Sequence, residues 1–175
     1  MILLIFLTGC SWLFVKTEPV EKPKLEIKLP DPLDLKDINF LSTIYASQLI
    51  KSKSQLKQDL FVLSQLGTKK GGFFVEFGAT NGVNISNTYL LEKEFKWTGI
   101  LVEPAISWHQ ELKMNRTCTI DTNCVWSASE ENISFCETND KEYSTIKNFF
   151  SADLHREKRS NYSEYIVKSI SLLDL

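Results

Sequence analysis

The stretch FFVEFGATNGVNISNTYLLEKEF, residues 73–95, decides the predicted fold. Its apolar start predicts a buried strand over 73–77, the two glycines indicate a sharp turn, and a helix follows over 84–95. Downstream, the pattern predicts a strand over 99–103, a helix over 105–115 and a strand over 118–126. Strands that alternate with short helices are typical of βαβ units. The sequence therefore predicts an α/β fold, with a parallel sheet and flanking helices.

Weaker patterns flank this central part. Apolar residues at helical spacing predict a helix over 40–62, which ends before the glycines that precede the first strand. A short strand is predicted over 132–136, in a hairpin with the strand before it. Residues 165–172 predict one more strand.

The N-terminal part divides into an apolar segment, residues 1–15, and a proline-rich linker, residues 16–37, ahead of a folded domain over 38–175. The apolar segment is shorter than the roughly 17–25 residues of a membrane-spanning helix, and no positive charge precedes it as in a signal peptide. Leu7 to Cys10 resembles a lipoprotein lipobox, with Cys10 as the lipidated residue. The alternatives are a short or truncated membrane anchor and a misassigned start codon. Residues 1–15 are thus a candidate membrane contact.

Composition excludes some classes of function. The 175 residues carry a net charge of −2 and a pI near 5.8, which gives no support for a nucleic-acid partner. The cysteines at positions 10, 118, 124 and 136 form no C-x-x-C pair, and the two histidines lie far apart in the chain, so no metal site is predicted. Cys118 and Cys124 are expected to be reduced thiols on one face of a strand.

Two acids stand at the ends of the predicted strands. Glu76 precedes Gly78 and Gly82, and Glu103 closes the next strand one βα unit later. Ligands of parallel sheets bind beyond these strand ends, where an acid accepts hydrogen bonds from ribose hydroxyls. Ala79 and Thr80 break the G-x-G-x-x-G pattern of a dinucleotide fingerprint. A ligand with a ribose, a positive centre and no diphosphate is therefore favoured, and S-adenosylmethionine is such a ligand. The alternative is that both acids merely cap the following helices.

Several stretches together resemble the FkbM family of S-adenosylmethionine-dependent methyltransferases. They are SQLKQDLFVL, GFFVEFGATNGVNISNTYLLEKEFKWTGILVEP, the segment 115–127 with its NCVWS ending, and VKSISLLDL, and they extend from Ser54 to Leu175. The resemblance implies a Rossmann-like class I methyltransferase fold. In the family the chain continues beyond SISLLDL into further strands, so this sequence resembles a C-terminally truncated domain.

The resemblance also implies a cofactor site. The matching positions are Glu76, Gly78, Ala79, Thr80, Asn81 and Gly82 around the methionine part, Glu103 at the ribose, and Ser127 beside the adenine. Gln58 and Asp59 match a recurring pair that we expect to close one side of the site, unless they lie on an exposed helix face.

The function implied is O-methylation of a sugar or natural-product hydroxyl, with a small molecule or a glycan as acceptor. No catalytic residue is assigned, since His109 and His155 are expected to be structural or exposed. Because S-adenosylmethionine is an intracellular metabolite, we expect a cytoplasmic domain, with the N-terminus as a candidate membrane attachment. The alternatives are a non-catalytic remnant or cofactor-binding module of the same fold, and an NAD-dependent oxidoreductase.

Overall fold

The computed structural model describes residues 46–152 and 154–175, together with the backbone of one N-terminal strand. The strands are β1 (Leu3–Leu7), β2 (Phe73–Phe77), β3 (Thr98–Val102), β4 (Thr119–Asp121), β5 (Cys124–Val125), β6 (Asn132–Thr138), β7 (Thr145–Ile146) and β8 (Tyr162–Ile170). The α-helices are α1 (Gln58–Leu66), α2 (Tyr89–Phe95) and α3 (His109–Asn115). Cys10 and the predicted linker lie outside the described residues.

The first sheet is parallel, with the order β1-β2-β3-β4. Val75 of β2 pairs with Ile100 of β3, and Leu101 pairs with Ile120 of β4. β1, which the sequence did not predict as a strand, runs parallel to β2 on its other side. A parallel sheet with flanking helices confirms the predicted α/β class. Both central strands occupy almost the predicted residues, because continuous apolar runs indicate strands that are covered on both faces.

The second sheet has the order β5-β8-β6-β7. β8 runs parallel to β5 and antiparallel to β6, so it separates the two strands that were predicted to form a hairpin. The hairpin prediction was therefore wrong, whereas the predicted C-terminal strand is confirmed as β8. This pairing joins segments about thirty residues apart, and such distant pairing leaves no local signal in a sequence.

The strand predicted over 118–126 is divided into two pieces. β4 belongs to the first sheet and β5 to the second. Between them, the Asp121 carboxylate accepts the backbone N–H of Asn123 at 2.7 Å. This local turn explains the break, because a short acidic side chain competes with the sheet for backbone donors. Consequently one continuous segment links the two sheets.

One apolar core lies between the first sheet and its helices. Leu63 of α1, Leu91 of α2 and Leu112 of α3 are almost wholly inaccessible to water. They pack with Phe74 and Leu101 of the two central strands. All three helices thereby share one core with the two central strands. This packing positions the loops at the carboxyl ends of those strands. Among the residues that the structure describes, no helix is both long and apolar enough to cross a bilayer.

The helix predicted over 40–62 is interrupted in its described part. Residues 46–49 are helical, and α1 begins only at Gln58. Between them the side chains of Ser52 and Ser54 are buried and donate to Asp59 and Gln58, at 2.8 and 2.5 Å. The serine hydroxyls thus supply local hydrogen bonds that compete with a continuous helix. Ser54 also bridges to Ile85 in the loop after β2.

Candidate functional site

The loops after β2 and β3 meet at the carboxyl edge of the first sheet. The N–H groups of Gly78 and Ala79 donate to the Val102 carbonyl, at 2.8 and 3.2 Å. The N–H of Thr80 donates to the Glu103 carboxylate at 2.8 Å. The structure therefore brings the predicted glycine loop and the predicted ribose acid into direct contact.

Glu103 is a buried carboxyl group that accepts two backbone hydrogen bonds. Its second oxygen accepts the N–H of Ala105 at 2.8 Å, and only 4% of the residue is exposed. Burial raises the pKa of Glu103 to about 7, although the N–H groups of Ala105 and Thr80 favour the charged form. A carboxylate has about four lone-pair positions, and these two N–H groups use two of them. Glu103 is thus an acid that changes charge near neutral pH.

Glu76 faces the interior of the protein. Its carboxylate accepts hydrogen bonds from the hydroxyls of Ser86 and Thr88, the former at 2.9 Å, and from the N–H of Asn87 at 2.8 Å. The residue has no exposed surface, and burial raises the pKa of Glu76 against the effect of these donors and of Arg116. Glu76 therefore holds residues 86–88 in an irregular conformation. This explains why the helix predicted over 84–95 begins only at Tyr89.

Arg116 is a residue that the sequence interpretation missed. Its side chain is fully buried at the end of α3. The guanidinium donates to the Gly82 carbonyl at 3.0 Å, to the Ser86 hydroxyl at 3.1 Å and to the Thr88 hydroxyl at 2.9 Å. It also forms an ion pair with Glu92 at 2.7 Å. The signal that could have revealed it is Glu76 itself, since an acid inside an apolar strand needs a partner.

The ion pair between Arg116 and Glu92 is buried. Burial disfavours the charged form of Glu92, but the Arg116 charge and the donors at Thr117 outweigh it and lower the pKa of Glu92 to about 2. Arg116 also lies 3.9 Å from a Glu76 oxygen and stacks 5.5 Å from the Phe74 ring centre. One arginine therefore links β2, α2 and the loop between them.

The loop over 78–84 is held in shape by its own contacts. The Asn81 side chain accepts the N–H groups of Val83 and Asn84, each at 3.0 Å, and the Asn81 carbonyl accepts the side-chain amide of Asn115 at 2.8 Å. Ala79 is buried in the apolar core. Gly82 has φ +75°, and a Cβ there would lie 2.6 Å from side-chain atoms of Arg116 and Leu112. Hydrogen bonds and packing within the protein thus hold the predicted cofactor loop in shape.

We expect Gly82→Ala to be considerably more destabilising than Gly71→Ala. Both glycines have positive φ, +75° and +72°, but Gly71 has open space around its missing side chain. The shared backbone strain amounts to about 1–2 kcal/mol. Overpacking at Gly82 should add about 1–3 kcal/mol to the loss in the free energy of unfolding, measured by urea denaturation. Equal losses in the two variants would contradict the packing that we describe at Gly82.

The turn after Glu103 is fastened by the second sheet. Tyr165 of β8 accepts the N–H of Ile106 at 3.1 Å and donates its hydroxyl to Glu137 at 2.5 Å. Glu137 also accepts the N–H of Ser107 at 3.1 Å. Although partial burial opposes ionisation, these donors keep the pKa of Glu137 below its ordinary value. The second sheet therefore positions the segment beside Glu103.

The remaining predicted residues lie in different places. Ser127 follows β5 and is exposed, and among the described residues no hydrogen bond joins it to Glu103 or to the glycine loop. Gln58 and Asp59 do not form an exposed helix face, because Asp59 is fully buried. They fix the segment that carries Ser54. His109 is half-buried and its ring contacts the Glu103 carbonyl at 2.8 Å.

The three described cysteines are unpaired by disulfides, and two cavities lie away from the glycine loop. Cys118, Cys124 and Cys136 are free thiols, and burial raises the pKa of Cys118 and of Cys124 to about 12. The described residues contain no group of three or more potential metal ligands. A hollow of about 340 Å³ lies beside Trp97 and Thr98, and another of about 260 Å³ beside Tyr89. Neither is lined by the predicted cofactor residues.

Compared with protein-family models, with curated proteins and with solved structures, the chain matches none of them. The functional conclusion therefore depends on the arrangement of Glu103 and the glycine loop, and on the sequence resemblance.

Proposed function

We propose that this chain carries the cofactor-binding part of an S-adenosylmethionine-dependent methyltransferase with a Rossmann-like fold. The observation that carries the proposal is the contact between the Thr80 N–H and the Glu103 carboxylate. It sets the acid beside a turn of backbone at the carboxyl edge of a parallel sheet, where ligands of such sheets bind. The remaining lone pairs of Glu103 would accept the two hydroxyls of the cofactor's ribose.

The other predicted residues would act by shaping the site. Gly78 and Thr80 present backbone to the ligand, whereas Glu76 and Gly82 are buried and keep the loop in position through residues 86–88 and Arg116. The bound cofactor would supply an activated methyl group. The chain's own part is to hold the cofactor, exclude water and orient an acceptor hydroxyl. The acceptor that we propose is a sugar or natural-product alcohol.

A binding module without catalysis is the second candidate. It is favoured by the internal hydrogen bonds of Glu76, which leave that acid no exposed surface for a ligand or an acceptor. This candidate shares the cofactor site and differs only in lacking methyl transfer.

Calorimetric titration of the full chain with S-adenosylmethionine and, separately, with NAD tests the proposal. We expect saturable binding of S-adenosylmethionine at one site and at least about tenfold weaker binding of NAD, because the loop lacks a diphosphate cradle. Tighter binding of NAD would overturn the proposal. If S-adenosylmethionine binds, formation of S-adenosylhomocysteine with a panel of sugar alcohols distinguishes the enzyme from the binding module.

A further inference from the structure

Four large apolar side chains are exposed within a short segment that leads into α1. The exposed fractions are 51% for Leu49, 87% for Ile50, 78% for Leu56 and 66% for Phe61. α1 turns Asp59, Val62 and Leu63 toward the core, so Phe61 lies on its outward face. Apolar side chains of this size are unfavourable in water, and several of them exposed within one segment indicate a surface for interaction. We call residues 49–61 the basic apolar segment.

Lysines alternate with buried serines in this segment. Ser52 and Ser54 turn inward to bond Asp59 and Gln58, so Lys51 and Lys53 point outward with the two-residue period of an extended chain. Lys57, at the start of α1, is also exposed. Lys51 and Lys53 line the hollow of about 260 Å³, whose other lining residues are Tyr89, Leu90, Lys93 and Glu94. The buried serines thus turn Lys51 and Lys53 outward, within the same segment that exposes the apolar side chains.

Few acids oppose these lysines. Residues 46–98, all of which the structure describes, contain seven lysines and four acids. Three of the acids, Asp59, Glu76 and Glu92, are buried, so Glu94 is the only exposed acid in this range. Glu94 pairs with Lys51 at 2.7 Å, and the buried Glu92 pairs with Lys93 at 3.2 Å. Residues 99–175 have the opposite balance, with eight basic and twelve acidic residues. The net charge of −2 is therefore unevenly distributed along the chain, with an excess of lysines over acids in residues 46–98.

We propose that the basic apolar segment binds the surface of an anionic lipid bilayer. Lysines attract acidic headgroups, and interleaved apolar side chains enter the boundary between headgroups and acyl chains. A nucleic acid would pair with the lysines but leave Ile50, Leu56 and Phe61 in water. A twofold contact with a second copy would bring lysine against lysine. This inference does not depend on the proposed enzymatic function, nor on residues 1–15.

Vesicle flotation with two matched charge variants of the full chain tests the proposal. The vesicles are phosphatidylcholine, alone or with about one-third phosphatidylserine. We expect Lys53→Gln/Lys57→Gln to bind the anionic vesicles about 25-fold more weakly than the wild type, roughly fivefold per lysine. Lys113→Gln/Lys168→Gln changes the net charge equally at exposed positions elsewhere and should lose less than about threefold.

A second pair of variants tests the apolar contribution. Leu56→Ser/Phe61→Ser should weaken binding to the anionic vesicles at least about tenfold, whereas Ile166→Ser/Leu173→Ser, also at exposed positions, should not. All four side chains are exposed, so each variant should keep the wild-type circular dichroism spectrum and melting temperature. The proposal is overturned if both charge variants lose affinity equally, since a general charge effect or the N-terminal segment would then carry binding. Wild-type binding that is independent of phosphatidylserine would overturn it as well.

Discussion

Replacing Arg116 with alanine should lower the free energy of unfolding by about 3–5 kcal/mol, the loss typical of breaking a buried ion pair. The substitution removes the guanidinium from the buried carboxylates of Glu76 and Glu92, although Glu92 keeps its contact with the Lys93 ammonium at 3.2 Å. It also removes the donors to Gly82, Ser86 and Thr88. Urea denaturation followed by circular dichroism measures the effect. Arg156→Ala, at an exposed position, is the matched control and should stay within about 0.5 kcal/mol of the wild type.

Arg116→Lys separates charge from geometry at the same position. A lysine keeps the positive charge near Glu92 but cannot donate to four groups in the plane of a guanidinium. We expect a loss about half that of Arg116→Ala, and this variant remains measurable if the alanine variant fails to fold. If Arg116→Ala lowers the free energy of unfolding no more than Arg156→Ala does, the contacts of Arg116 do not stabilise the fold as we describe.

The protein should lose stability as the pH rises from about 4.5 to 7, by up to about 3 kcal/mol from Glu103 alone. Burial raises the pKa of Glu103 to about 7 in the folded protein, against an ordinary value of 4.5. The folded state therefore keeps a proton that the unfolded chain releases in this range, and stability falls as the pH rises through it. Urea titrations at several pH values measure this slope.

Glu103→Gln isolates this contribution from those of other acids. The amide loses one acceptor toward Thr80 or Ala105, which lowers the free energy of unfolding by the same amount at every pH. Because the amide does not titrate, the fall in the free energy of unfolding between pH 4.5 and 7 should be smaller by the contribution of Glu103. Asp59 and Glu76 keep their own raised pKa values in both proteins and cancel in the comparison. Glu131→Gln, at an exposed position, should retain the wild-type slope. Identical slopes in wild type and Glu103→Gln would show that Glu103 is not buried as described.

The central βα units could be predicted from the sequence because their signals are local. The apolar runs over 73–77 and 99–103 are sufficient to predict two parallel strands, and with them the position of Glu103 and the glycine loop at the carboxyl edge of one sheet. The start of α2 could not be predicted, because residues 86–88 donate hydrogen bonds to the Glu76 carboxylate of β2 and do not join the helix. Nor could the place of β8 between β5 and β6, or the contacts of Arg116 with a loop some thirty residues earlier. Each of these depends on contacts between distant parts of the chain.

The most direct test of the account is whether Glu103 holds a ribose. Adenosine and 2′-deoxyadenosine carry the same base, but only adenosine has the 2′-hydroxyl. At pH 8 the Glu103 carboxyl should be ionised, so the difference between the two affinities for the full chain measures one hydrogen bond from this hydroxyl to the carboxylate. We predict that the wild type binds adenosine about tenfold more tightly and that Glu103→Gln loses most of this preference. Equal affinity of the wild type for the two nucleosides, or a preference that survives in Glu103→Gln, would contradict the account.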